Sequence, residues 1–286
     1  MKAVVGSDEV RSAAAAAGAW LDASAANLSD GSLADSMRAA IGSVVATDAG
    51  APSRRKALDM ALERTRVCSL DQLAACGGPL VLLFCLAASR GGAALDGSLA
   101  RFVDIAATAL EENQLASADA CASACLVAQL RGQTSRYGAD PSAAQPVEDV
   151  AGVECATRFG TRRIAASPAL AVGLEGVAMS RLRRYDFELG CRAARASQYA
   201  GIGASLGLAT ALAFLRAQQD FDGGFGFFDR EAAESRSESE ADRGASEFKV
   251  PATLACLWTL AECCSADYRV FRDIGRAIPS VSSEPP

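Results

Sequence analysis

The stretch "FLRAQQDFDGGFGFF", residues 214–228, carries the fold information of this chain. Phe214 and Leu215 close an apolar stripe that runs through the preceding helical pattern, expected over 199–217. Gly223 and Gly224 supply the left-handed backbone freedom that a helix terminus requires. Phe225, Phe227 and Phe228 can fold back over the helix ends. Asp220 and Asp222 have two readings: turn and cap residues that satisfy orphan N–H groups, or a general acid facing an apolar cavity. A second apolar helical pattern, "PATLACLWTLAE", follows from residue 251. The unit is therefore helix, polar aromatic turn, helix.

Outward from this unit the same rhythm repeats. "DEVRSAAAAAGAWLDASAANL" (8–28) puts Val10, Ala14, Ala17 and Leu21 on one stripe behind a Ser7 or Asp8 cap. "GGPLVLLFCLAASR" (77–90) is apolar all round, which predicts an inner helix. Further helices are expected near 147–158, 168–182, 184–196, 250–264 and 267–277. Ala and Leu dominate, and runs rich in β-branched or aromatic residues are few, so the class is all-α. One helical domain is expected over 1–278. It carries a flexible, Ser/Glu/Arg-rich insertion at 229–248 and a disordered tail at 279–286.

Composition removes several chemistries. The 286 residues contain no histidine, which excludes Ser-His-Asp and Cys-His nucleophiles and His-based zinc sites. A net charge of −6 argues against general nucleic-acid binding. The ten cysteines form no CxxC pair and read as buried, reduced thiols, so neither metal nor cofactor is expected. The start "MKAVVGSDEV" has acids where a secretory signal is basic. "PLVLLFCLAA" is about half a membrane span. The expected location is cytoplasmic.

The turn resembles a known repeat. The squalene–hopene cyclases and prenyltransferase β subunits are α/α toroids built from QW motifs, with the pattern aromatic, aliphatic, three residues, Gln, three residues, Gly, one residue, Trp. Phe214, Leu215, Gln219, Gly223 and Phe225 fall at those places, with Phe where Trp is usual. "QQDFDGGFG" is similar to the prenyltransferase turn Gln-x-x-Asp-Gly-Gly-Phe-Gly, and the match covers about 50 residues, the remainder agreeing only in helical rhythm. The resemblance implies an α/α toroid or open array of about ten to twelve antiparallel helices. It also implies a structural turn made by Gln219, Gly223, Gly224 and Phe225. The family's catalytic features do not carry over. Its zinc ligands include a His, and its Asp-x-Asp-Asp acid here reads Asp220-Phe221-Asp222-Gly223.

Residues 158–195 hold eight arginines against three acids. They are either a solvated helical face or an anion site, with Arg181, Arg183, Arg184 and Tyr185 as the candidate ligand-binding residues. Trp258 is a core residue or, if the chain ends meet, part of a cavity wall. The cavity walls are expected from "PLVLLFCLAAS", "ACLVAQL" and "PATLACLWTL". Three functions fit these features. One is a non-catalytic or accessory biosynthesis protein binding a hydrophobic small metabolite, with or without an anionic group. Another is a cyclase-like enzyme of isoprenoid or polyene chemistry using Asp220 or Asp222. The third is a protein-interaction module with an acidic protein partner. Oligomeric state is not readable from these residues.

Overall fold

The computed structural model describes residues 7–28, 33–52, 55–95, 97–112, 118–131, 150–157, 159–160, 164, 167–201, 205–226 and 238–264. These residues form twelve helices: α1 (Ser7–Asn27), α2 (Leu33–Asp48), α3 (Lys56–Arg66), α4 (Leu70–Ala75), α5 (Gly78–Arg90), α6 (Gly97–Glu112), α7 (Ala118–Leu130), α8 (Val150–Ala156), α9 (Pro168–Leu182), α10 (Phe187–Tyr199), α11 (Leu206–Ala217) and α12 (Glu238–Cys264). The chain is all-α, with a single isolated bridge between Gln219 and Phe225 among the described residues.

Local chemistry sets the helix starts. Ser167 and Ser205 precede α9 and α11, and each hydroxyl accepts the N–H three residues on, from Leu170 and Leu208. Ser69 and Gln72 form a reciprocal capping box at α4. The α3 start lacks a side-chain cap of its own. The buried carboxylate of Asp22 on α1 takes that place, its Oδ1 accepting from Ala57 N at 3.1 Å and from Ser43 Oγ at 3.3 Å.

Small residues set how closely the helices approach. A Cβ on Gly18 of α1 would lie 2.7 Å from the Ala46 Cβ of α2, and one on Gly42 would lie 2.2 Å from Leu21 Cδ1. The Ala/Gly bias of the first 50 residues is thus a packing requirement between α1 and α2. In α5, Val81 through Ala88 are all buried, as its uniform apolarity predicts. Complete burial of Leu82, Phe84 and Leu86 contributes about 1.5–3 kcal/mol each.

The helix contacts run in a closed succession. α2 packs on α5, α5 on α7, α7 on α8, α8 on α10, α10 on α12, and α12 back on α2. The other long helices lie against members of this succession: α1 and α3 on α2, α6 on α5 and α7, and α9 and α11 on α10. α1 also touches α12, so the first and last described helices meet.

Two expected boundaries differ. The pattern over 199–217 is not one helix. α10 ends at Tyr199, Gly201 takes φ +78°, and α11 begins only after the Ser205 cap. Gly201 is a helix stop. Residues 238–248, expected within the insertion, are the first turns of α12. The expected helix at 267–277, the tail at 279–286 and residues 229–237 lie outside the described residues.

Candidate functional site: a cavity where six helices meet

The quoted turn is a structural joint. Its Gln219 Nε2 donates to Ala13 O on α1 and to Gly223 O, both at 2.9 Å. Asp222 Oδ1 accepts from Gly224 N at 2.9 Å, and its Oδ2 accepts from Trp20 Nε1 at 3.1 Å. Asp220 pairs with Lys249 of α12 at 2.5 Å. Phe225 is fully buried, and its N–H donates to Thr253 Oγ1 at 2.9 Å. Gly223 has φ +97°, and a Cβ there would lie 2.4 Å from Ala16 O. Gln219, Gly223, Gly224 and Phe225 therefore tie α11 to α1 and α12. Both carboxylates of Asp220 and Asp222 are engaged in that joint and line neither cavity described below.

The expected ligand residues around Tyr185 form a second joint. Arg181, Arg183, Arg184 and Tyr185 are exposed. Tyr185 N donates to Leu182 O and Asp186 N to Arg181 O, which is a Schellman closure of α9. Tyr185 occupies the left-handed position, at φ +59°, where glycine is usual. Its ring rests 6.0 Å from Phe187 and 6.4 Å from Phe214. Arg181 pairs with Asp186, the α10 cap, at 3.3 Å. These four residues line neither cavity.

The six helices of this succession meet at a half-open cavity of about 290 Å³, called the central cavity below. Every member contributes to its wall. α5 supplies Pro79, Leu80 and Leu83; α7 supplies Ala122 and Leu126; α12 supplies Pro251, Leu254, Ala255 and Trp258. Each of the three stretches expected as wall is represented. α8 adds Ala151, and the polar groups come from Arg38 on α2, Glu154 on α8, and Glu188, Arg192 and Arg195 on α10. A second cleft of about 610 Å³ lies between α8, α9 and α10, and Arg192 is its one charged lining residue among the described residues.

The charged groups of the central cavity are arranged unequally. Arg38 pairs with Asp35 at 2.7 Å. Arg192 grips buried Glu154 in a fork, with Nη2 to Oε2 at 2.6 Å and Nε to both oxygens at 3.2 Å. Arg195 is different. It is 5% exposed, and its guanidinium carbon lies 4.5 Å from the Trp258 ring centroid. Its Nη1 donates to Thr259 Oγ1 at 2.8 Å and to Ala255 O at 3.4 Å. No carboxylate among the described residues is in salt-bridge contact with it. Burial opposes its charge, but the acidic groups around it, Tyr199, Glu154 and Glu262, outweigh this and raise its pKa above the ordinary arginine value.

Behind Arg195 the seam between α10 and α12 is polar. Tyr199 Oη donates to buried Glu262, and burial together with that carboxylate pushes the phenol pKa well above its ordinary value. Cys191 and Cys256 meet at 3.9 Å between sulfurs, and burial raises the Cys256 thiol well above its usual range.

The basic segment thus reaches the cavity through Arg192 and Arg195, one turn apart, rather than through Arg181–Tyr185. The local signal was "GCRAARAS": two arginines among small residues, of which Ala193, Ala194 and Ala196 are fully buried. Arginines set in a buried stripe face the interior, whereas "RLRRYD" lies at a helix end. Glu154 and Arg38 carried no comparable signal. Among the described residues no helix is long and apolar enough to cross a membrane. No family model matches the chain, and neither a curated protein nor a solved structure shows detectable similarity to it.

Proposed function

We propose that this chain is an α/α toroid protein of the cyclase and prenyltransferase type that binds a hydrophobic, anionic small metabolite without transforming it. The observation that carries the reading is the central cavity. Six helices converge on it, its wall is mostly apolar, and the buried Arg195 guanidinium over the Trp258 ring is its one cation without a carboxylate in contact among the described residues. A concave apolar site with a few convergent polar groups is the usual form of a small-molecule site. The closed helix succession and the contact between α1 and α12 support the toroid reading. The engagement of Asp220 and Asp222 in the turn supports binding over acid catalysis.

Native mass spectrometry of gently purified protein tests this. A retained adduct that disappears in denaturing spectra is the expected result. A clean mass, together with no uptake of an apolar anionic dye such as 8-anilinonaphthalene-1-sulfonate, overturns it.

A further inference from the structure

We infer that the group recognised in the central cavity is a single carboxylate, held edge-on by Arg195, at the end of a short apolar chain. The inference rests on the ligand-binding reading above and names its ligand class.

Both hydrogen bonds of Arg195 leave from Nη1. Nε and Nη2, which form one edge of the planar guanidinium, have no acceptor among the described residues. That edge presents two parallel N–H groups, the arrangement that a carboxylate accepts bidentately. The guanidinium carbon sits 4.5 Å over the Trp258 ring, and the bonds to Thr259 and Ala255 hold the opposite side. The acidic groups around Arg195 offset the desolvation of its charge, but the two donors of this edge are left for a ligand in the cavity that Arg195 lines. A bound anion would complete the set.

Charge then separates a carboxylate from a phosphate or diphosphate. The other two arginines of the wall are already neutralised, Arg192 by Glu154 and Arg38 by Asp35. Glu188 adds a further negative charge to the lining. Arg195 offers one donor edge with no second uncommitted cation beside it among the described residues, and Glu188 and Glu262 add negative charge around it, so a monoanion is repelled less than a di- or trianion. Volume sets the tail. About 290 Å³ corresponds to roughly ten water volumes, enough for a carboxylate and a chain of about seven to nine carbons along Leu80, Leu83, Leu126 and Leu254.

Isothermal titration calorimetry with three probes of equal chain length decides the matter: octanoate, octan-1-ol and octyl phosphate, at neutral pH on the full chain. Octanoate is expected to bind at least about tenfold more tightly than either of the others, the worth of one charge-assisted contact. Arg195→Met is expected to reduce octanoate to the level of octanol, and Arg195→Lys to give an intermediate loss, since a point charge cannot reproduce the fork. Equal binding of octanoate and octanol by the wild-type chain overturns the carboxylate assignment and leaves the cavity reading in place. Tighter binding of octyl phosphate does the same. An octanoate preference that survives in a folded Arg195→Met chain also overturns it. Failure of all three probes on the wild-type chain removes the ligand-binding reading as well. The ranking on the wild-type chain stands even if a variant fails to fold.

Discussion

The turn at 218–226 and the wall of the central cavity are both built from polar groups on apolar helices, and both lean on α12. They differ in how completely those groups are satisfied. In the turn, Gln219, Asp220 and Asp222 reach partners on α1, on α12 and within the turn itself. Their carboxylates are about two-fifths exposed, at 41% and 36%, so water also serves them. In the cavity, Arg195 and Glu154 are at or below 5% exposure. Glu154 is satisfied by Arg192, and Arg195 keeps an edge with no acceptor among the described residues. α12 divides the work by its period: Lys249 and Thr253 face the turn, while Pro251, Leu254, Ala255 and Trp258 face the cavity. The comparison teaches that polarity alone does not mark a site. A buried cation with an unused donor edge in the wall of a cavity does, because a ligand can take up those donors.

Three substitutions put this contrast at risk. The largest effect is expected at Gly223. Alanine there must adopt φ +97° and press its Cβ against Ala16 O, so Gly223→Ala should lose about 3 kcal/mol in urea denaturation. Wild-type stability would mean that the turn does not clamp α1. Next is Glu154→Gln, which strips Arg192 of its charged partner. Because Arg192 is 37% exposed, the cost should be about 2 kcal/mol, below that of a fully buried pair. The same change leaves a second uncommitted cation at the cavity and should shift binding preference from octanoate towards octyl phosphate. An unchanged preference would show that the charge balance of the wall does not select the ligand. The smallest effect is expected for Asp222→Ala, about 1 kcal/mol for two part-exposed hydrogen bonds. Octanoate affinity measured by calorimetry should not move. A loss of binding with full stability would return Asp222 to the candidate site and erase the distinction between the two regions.

Legibility followed the range of the interactions. Gln219, Gly223, Gly224 and Phe225 lie within seven consecutive positions, and their spacing alone announces a helix end with a left-handed turn. The wall stretches were legible for a similar reason, since uniform apolarity in "PLVLLFCLAAS" leaves no solvent face. Of the basic segment, Arg192 and Arg195 line the cavity and Arg181–Tyr185 do not. Arg181, Arg183 and Arg184 are dense in sequence, yet the Schellman closure at Tyr185 turns them outward. Arg192 and Arg195 are spaced to share a helix face and so reach the cavity. Residues 238–248 looked like an insertion because their composition is polar, and they are helical as the leading turns of α12.

By itself the sequence determined the all-α class, the identity of the inner apolar helices and the chemistry of the turn, because each depends on propensity, periodicity or contacts within a few residues. It also removed every mechanism that needs an imidazole. Tertiary structure alone decided which charges neutralise one another. Glu154 meets Arg192 across 38 positions and Thr259 meets Arg195 across 64. Burial then makes each such pairing, and each missing one, worth several times its value in water.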